Sequence, residues 1–289
     1  MPHLELRFLG PFQAACDGAP ITAFESDKVR ALLATLVVDA DRAHPRDALA
    51  ALLWPDRPDA SARKNLRQAL TNLRHAIADE RADPPFLSIT RDSLQFNAAS
   101  DHRLDVAEFD RLLTSAKAHR HRRLAGCTPC LESLRQAVAL YRGDFLVAFH
   151  PGDCPAFEEW ALLRREALRR RALDALYDLT AAHLQRGEFD AARQYAHRQL
   201  ELDAWREEAH RQVMIALAAT GQRSAALAQF EQCRNVLQAE LGVEPDEATL
   251  ALHDQNRANT PRQLRRRRRR ASSPSRAADA AAPTPEDPI

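Results

Sequence analysis

Two groups of residues in this 289-residue chain have the types and spacing to do chemistry. The first is Arg63, Lys64, Asn65, Arg67, Gln68, Thr71, Asn72 and Arg74, eight polar side chains in twelve positions with no acid among them. Arg and Lys neutralise phosphate, and Asn, Gln and Arg bond bidentately to adenine or guanine edges in a major groove. The second group is His119, His121, Cys127 and Cys130, spaced H-x-H-x5-C-x2-C. Two imidazoles and two thiolates satisfy a tetrahedral structural Zn²⁺. Three readings stay open for it: a zinc knuckle, ligand-type residues incidental to an Arg-rich linker, or a redox pair. The last would need a thioredoxin-like strand–helix context, which is absent. No water-activating acid accompanies the cluster, so the reading is of a chain that is not an enzyme.

The polar residues around Arg67 need a helix to aim them. From about Ser61 to Asp79 the spacing predicts one, with Leu66, Leu70, Leu73 and Ile77 on a narrow stripe and Ala69 beside them. Lys64, Gln68, Thr71 and His75 point the opposite way. Arg63, Arg67 and Arg74 line one flank, and Asn65 and Asn72 the other. Taken alone, this helix fits a plain surface helix with a solvated cationic face equally well. Its context shifts the balance. Leu4–Leu9, Phe12 to Ala15 and Pro20-Ile21, with a turn at Asp17-Gly18, read as a small antiparallel sheet. Ser26 can cap a helix with Val29, Leu32, Leu33, Leu36 and Val37 inward. Pro45 opens a short helix carrying Leu49, Leu52 and Leu53, ended by Trp54-Pro55. Beyond Pro84-Pro85, Phe86–Phe96 reads as two strands meeting at Arg91-Asp92. Sheet, helix, short helix, turn, longer helix and hairpin make a winged helix-turn-helix, with the third helix for the major groove. Arg91 then stands at the wing tip, where it fits a phosphate contact or a solvated turn equally well.

From residue 101 onward Ala, Leu and Arg dominate, and a helical second domain is expected. Asp105 and Glu108 form a capping-box-like pair before Val106, Phe109, Leu112 and Leu113. Leu131, Leu134, Val138 and Tyr141 mark another helix, and the pattern from Phe157 to Arg186 is unbroken, a helix or helix pair of about 45 Å if straight. Gln185-Arg-Gly187-Glu-Phe-Asp-Ala191-Ala192 returns as Thr220-Gly221-Gln-Arg-Ser-Ala225-Ala226, a 34-residue period. Glycine at the turn and small residues at the helix contact are the tetratricopeptide signature. Ala204 stands where such repeats usually end in proline. Gly242 is a helix stop, and a last helix runs to about Asn256. The fold expected is mainly α with small β elements: a winged helix-turn-helix at 1–99, tetratricopeptide-like helical repeats at 101–257, and a disordered Arg-rich tail at 258–289. The run Arg265–Arg270 in that tail could add salt-dependent affinity for phosphates.

The formal charge of +1 gives no whole-molecule field, so a nucleic-acid partner must be recognised by local patches. No apolar run approaches 18 residues and no signal-peptide pattern opens the chain. The expectation is a cytoplasmic protein without a membrane partner. Five scattered cysteines agree with a reducing compartment.

The initial sheet, Lys28-Val-Arg-Ala-Leu-Leu-Ala, Leu52-Leu-Trp-Pro-Asp56, Asn65-Leu-Arg-Gln-Ala-Leu-Thr-Asn-Leu-Arg74 and the wing resemble the OmpR-type DNA-binding domain. More narrowly, residues 3 to 257 resemble the SARP-type activators, which join that domain to a bacterial transcriptional activator domain. The resemblance implies sequence-specific binding of double-stranded DNA at repeated promoter elements and activation of transcription. It also implies RNA polymerase as a partner of the Asp56–Asp59 loop. A homodimer on DNA is compatible with it. Relatives often continue into an ATPase, but no G-x-x-x-x-G-K-[ST] loop occurs here, and no receiver domain is apparent. The rival reading is a tetratricopeptide-type interaction or scaffold module that does not read DNA sequence.

Overall fold

The computed structural model describes residues 1–120 and 123–258; His121 and the Arg-rich tail lie outside them. Strand β1 (Leu4–Arg7) sends Leu4 and Leu6 fully inward, and β2 (Gln13–Cys16) and β3 (Ala19–Pro20) follow it antiparallel. Asp17 and Gly18 both take positive φ, 52° and 79°, which is the backbone a tight hairpin turn demands. Helix α1 (Asp27–Val38) buries Val29, Leu32, Leu33, Leu36 and Val37. Ser26 stands at its N-cap without a side-chain cap bond. Pro45 falls just outside the helix where it was expected. With His44 it forms β4, paired to Ser93 and Leu94, and it is the N-cap of α2 (Arg46–Leu53).

The terminal Leu53 carbonyl of α2 accepts from Lys28 Nζ at 2.8 Å and Cys154 Sγ at 3.1 Å. A cation and a thiol thus satisfy an orphan helix carbonyl and pin the turn before α3 (Asp59–Ala76). That helix begins and ends a little earlier than its spacing suggests. Ile77 still packs fully buried, but Ala78 turns left-handed (φ 55°), and Asp79 opens a single 3-10 turn. Strands β5 (Leu87–Ile89) and β6 (Ser93–Phe96) make the wing with β4, in the order β4-β6-β5. Strand β7 (His102–Leu104) returns to lie parallel to β1, completing a second sheet ordered β3-β2-β1-β7.

The helical half comprises α4 (Asp105–Ala118), α5 (Thr128–Leu140), α6 (Pro155–Arg186), α7 (Phe189–Leu202), α8 (Glu207–Ala219), α9 (Arg223–Glu240) and α10 (Glu247–Ala258). Helix α6 is one continuous helix of 32 residues, about 48 Å long. The α6–α7 and α8–α9 turns place Gly187 and Gly221 at φ 75° and 81°, and Ala192 and Ala226 beyond them are fully buried. These are the equivalent positions of the 34-residue period. Where proline is replaced by Ala204, its carbonyl instead accepts from His210 Nε2 at 2.9 Å.

One apolar core runs from Leu4 to Ala182, so the two halves are fused through their interior. Asp105 is central to that junction and is not the cap it resembles in sequence. Its buried carboxylate accepts from the Phe8 and Leu9 backbone N–H groups (2.8 and 3.0 Å) and from Arg142 (2.9 Å). Burial pushes its pKa up, against the pull of those three donors. Asp39, at the end of α1, reaches Arg164 of α6 at 2.6 Å.

Candidate nucleic-acid interface

The apolar seam of α3 is buried as its spacing requires, with Leu66, Ala69, Leu70 and Leu73 all inward. That leaves Lys64, Arg67, Gln68, Thr71 and His75 exposed along the opposite face. Thr71 Oγ1 donates back to the Arg67 carbonyl at 3.0 Å, which restrains its rotamer and leaves the oxygen able to accept. Asn65 is half-buried.

Three members of the expected base- and phosphate-contacting set have other employment. Asn72 is buried: its Oδ1 accepts from the Glu25 N–H (3.1 Å) and its Nδ2 donates to the Ala23 carbonyl (3.0 Å). It therefore fastens the segment before α1 and is not available to a base edge, a correction to its sequence reading. Arg63 holds Asp47 of α2 in a bidentate pair at 2.6 and 2.8 Å. Both partners are solvent-exposed, and such pairs contribute little, so a phosphate can compete for Arg63. Arg74 donates to buried Asp79 at 3.0 Å and lies 3.2 Å from Glu80, which ties it to the helix end and neutralises much of its charge.

The wing stands beside this face. Arg91 is exposed in the β5–β6 turn, which is ordered by Thr90 Oγ1 accepting from the Ser93 N–H at 2.9 Å. An open cleft of about 490 Å³ separates wing from helix and is edged by Arg46, Arg63, Arg67 and Arg91 against Asp47 and Asp92. Arg46 was not singled out in the sequence. Its guanidinium donates twice to the Thr90 carbonyl (3.1 and 2.9 Å) and its backbone N–H to the Asp92 carbonyl (2.9 Å), holding the wing against α2. A cation on the first turn of a helix opposes the macrodipole, and that misfit was the available signal that something else holds it.

The other predicted cluster sits at the far end of α4. His119, just past that helix, lies with Nδ1 3.1 Å from Cys130 Sγ and 3.3 Å from Cys127 Sγ. His119 is exposed and both cysteines are buried; His121 falls outside the described residues. Burial and the adjoining Cys127 sulfur push the Cys130 thiol up to about 11.

Residues 104–257, more than half of the chain, match the bacterial transcriptional activator domain. The chain belongs to that family. The activator-domain protein is 29% identical over 252 residues to the regulatory protein DnrI of Streptomyces peucetius, covering 84% of this chain and 88% of DnrI. It is 28% identical over 253 residues to the regulatory protein AfsR of Streptomyces coelicolor, covering 83% of this chain but only 23% of AfsR. These relatives carry the resemblance to SARP-type activators along most of its length. Over 82 residues it is 35% identical to the transcriptional regulatory protein EmbR of Mycobacterium tuberculosis, 28% of this chain and 21% of EmbR. Its fold is that of the Mycobacterium tuberculosis EmbR solved in complex with a low-affinity phosphopeptide. The TM-score is 0.69 at 24% identity, covering 90% of this chain and 66% of that one. The chain thus spans about a quarter of AfsR, and the 82 residues aligned to EmbR span about a fifth of it. Among the described residues, no helix of the activator-domain protein is long and apolar enough to cross a membrane.

Proposed function

We propose that this chain is a transcriptional regulator that reads double-stranded DNA through α3 and steadies itself on the backbone through the wing, acting as an activator at repeated promoter elements. The observation that carries the reading is the exposed row Lys64, Arg67, Gln68 and Thr71 on α3, with Arg67 lining a cleft whose other edge bears Arg91. An 18-residue helix with its apolar seam docked and its amides and cations outward suits a major groove. Gln68 and Arg67 are proposed for base edges, Lys64, Arg63 and Arg91 for phosphates. The half-buried Asn65 and the tethered Arg74 are proposed as flanking contacts. The turn between α2 and α3, with Asp56, Arg57 and Pro58 exposed beside the start of α3, is the proposed contact for RNA polymerase. Tandem sites one helical turn apart would hold two copies side by side. The names of DnrI and AfsR as regulatory proteins support the regulatory role.

The test is selection of duplexes from a random pool by the full chain, followed by anisotropy titration of the enriched site against its scrambled counterpart. A preference of about 10³-fold or more is expected for a specific site. Equal affinity for both would end the reading and return the chain to a repeat-based interaction module.

A further inference from the structure

We infer that His119, Cys127 and Cys130 form a zinc site that staples the α4–α5 hairpin. Two helices bring the donors together. His119 is the first residue beyond α4, Cys127 is the N-cap of α5, and Cys130 lies in the first turn of α5. The C-x2-C spacing across a helix start puts both sulfurs at the same end of α5. There the helix dipole favours anionic thiolates. Ala125, just before α5, is held in place independently, by Arg186 of α6 donating to its carbonyl at 2.6 Å.

The donor atoms of the three residues all lie within 4.8 Å of one another. A tetrahedral ion with Zn–S of about 2.3 Å and Zn–N of about 2.0–2.1 Å requires N···S edges of about 3.6 Å and an S···S edge of about 3.8 Å. The two N···S distances, 3.1 and 3.3 Å, fall a few tenths of an ångström inside that edge. A small outward shift of exposed His119 opens the triangle to the ion. Two sulfurs and an imidazole select a borderline-soft cation over Mg²⁺ or Ca²⁺, which need oxygen. The charges balance: Zn²⁺ displaces one proton from each thiol, the imidazole binds neutral through Nδ1, and the complex carries no net charge. With three protein donors from these residues, a fourth position remains for water or another donor on the exposed histidine side.

The experiment uses the full chain purified under reductant. Zinc is measured by mass spectrometry of the metal, and chelator-stripped protein is titrated with Co²⁺ while the thiolate-to-cobalt absorption is followed. About one equivalent of metal per chain and a saturating thiolate band are expected. Cys127→Ser and Cys130→Ser should each weaken Co²⁺ binding at least about tenfold, since even outer contacts to ligands cost that much. Cys16→Ser, remote in the β2 strand, should bind as the parent does. If the buried Cys130→Ser variant does not fold, His119→Ala changes an exposed side chain and must show the same weakening. Failure of the parent to develop the thiolate band overturns the inference. So does a parent-like titration by Cys127→Ser and His119→Ala, or a Cys127–Cys130 disulfide in the reduced preparation.

Discussion

Gln68 and Asn72 lie four residues apart on α3, and their surroundings assign them opposite work. Asn72 satisfies the Ala23 carbonyl and the Glu25 N–H. Replacing it with Ala leaves both without that partner and should cost about 1–3 kcal/mol in urea denaturation, with DNA affinity of the folded fraction unchanged. Gln68→Ala should leave stability as it is and relax preference at one base pair by about 1–3 kcal/mol, read by competition among single-base variants of the selected site. His210 carries a second residue-scale consequence. It is buried, with Nδ1 2.7 Å from the Gln229 amide nitrogen and Nε2 2.9 Å from the Ala204 carbonyl, an arrangement that suits the neutral ring. Burial is the main cause that pushes its pKa below the ordinary histidine value, and the same holds for buried His44. The unfolded chain then takes up protons first as pH falls, so stability is full above the ordinary value of about 6.5 and is lost below it. Thermal midpoints should fall from about pH 7.5 to about pH 5.5, and His210→Gln should flatten that slope.

At the scale of elements, the two repeat turns show how local rules become architecture. Gly187 and Gly221 sit in the left-handed region, and a Cβ built on either meets nothing within 4 Å. Gly221→Ala should therefore cost only the backbone term, about 1–2 kcal/mol in chemical denaturation, with the helix pair otherwise intact. A much larger loss would mean that packing, not φ, sets the position. This glycine and its small-residue companion are readable from sequence because each answers to its own turn or its own helix contact. The wing anchor is not readable in that way. Arg46 and Pro45 look like a helix start, yet β4 exists only because β6 is brought alongside it from 48 residues later in the chain. Asp105 fails as a cap for the same reason: its donors Phe8 and Leu9 lie far away in sequence, and pairing of β7 with β1 delivers them.

For the molecule as a whole, the number of phosphates neutralised decides how DNA affinity responds to salt. The proposed phosphate contacts Arg63, Lys64 and Arg91 predict a contribution of about −3 per bound chain to the slope of log affinity against log salt. Asp47→Ala removes the carboxylate that competes for Arg63 and should raise affinity with that slope kept, measured by anisotropy on one duplex across a salt series. The shared core gives a second prediction. Asp105→Ala strands two buried N–H groups and Arg142 at the junction, so it should cost about 3–5 kcal/mol in chemical denaturation. The winged half and α4–α6 should then unfold in a single transition, because the core it interrupts runs through both.

Periodicity in the amino-acid order was enough to determine the winged helix-turn-helix, the inward seam of α3, the repeat turns and the grouping of histidine with two cysteines. Within each element the signals lie close together in sequence, where spacing and propensity act directly. Which cations stay available was settled only by the tertiary structure. Asp47 reaches Arg63 from another helix, Asp79 and Glu80 meet Arg74 where the chain folds back past α3, and Asn72 faces a loop 47 residues away. Hydrogen bonds and ion pairs between distant segments form only after the apolar seams have docked, and a helical wheel has no coordinate for that partner.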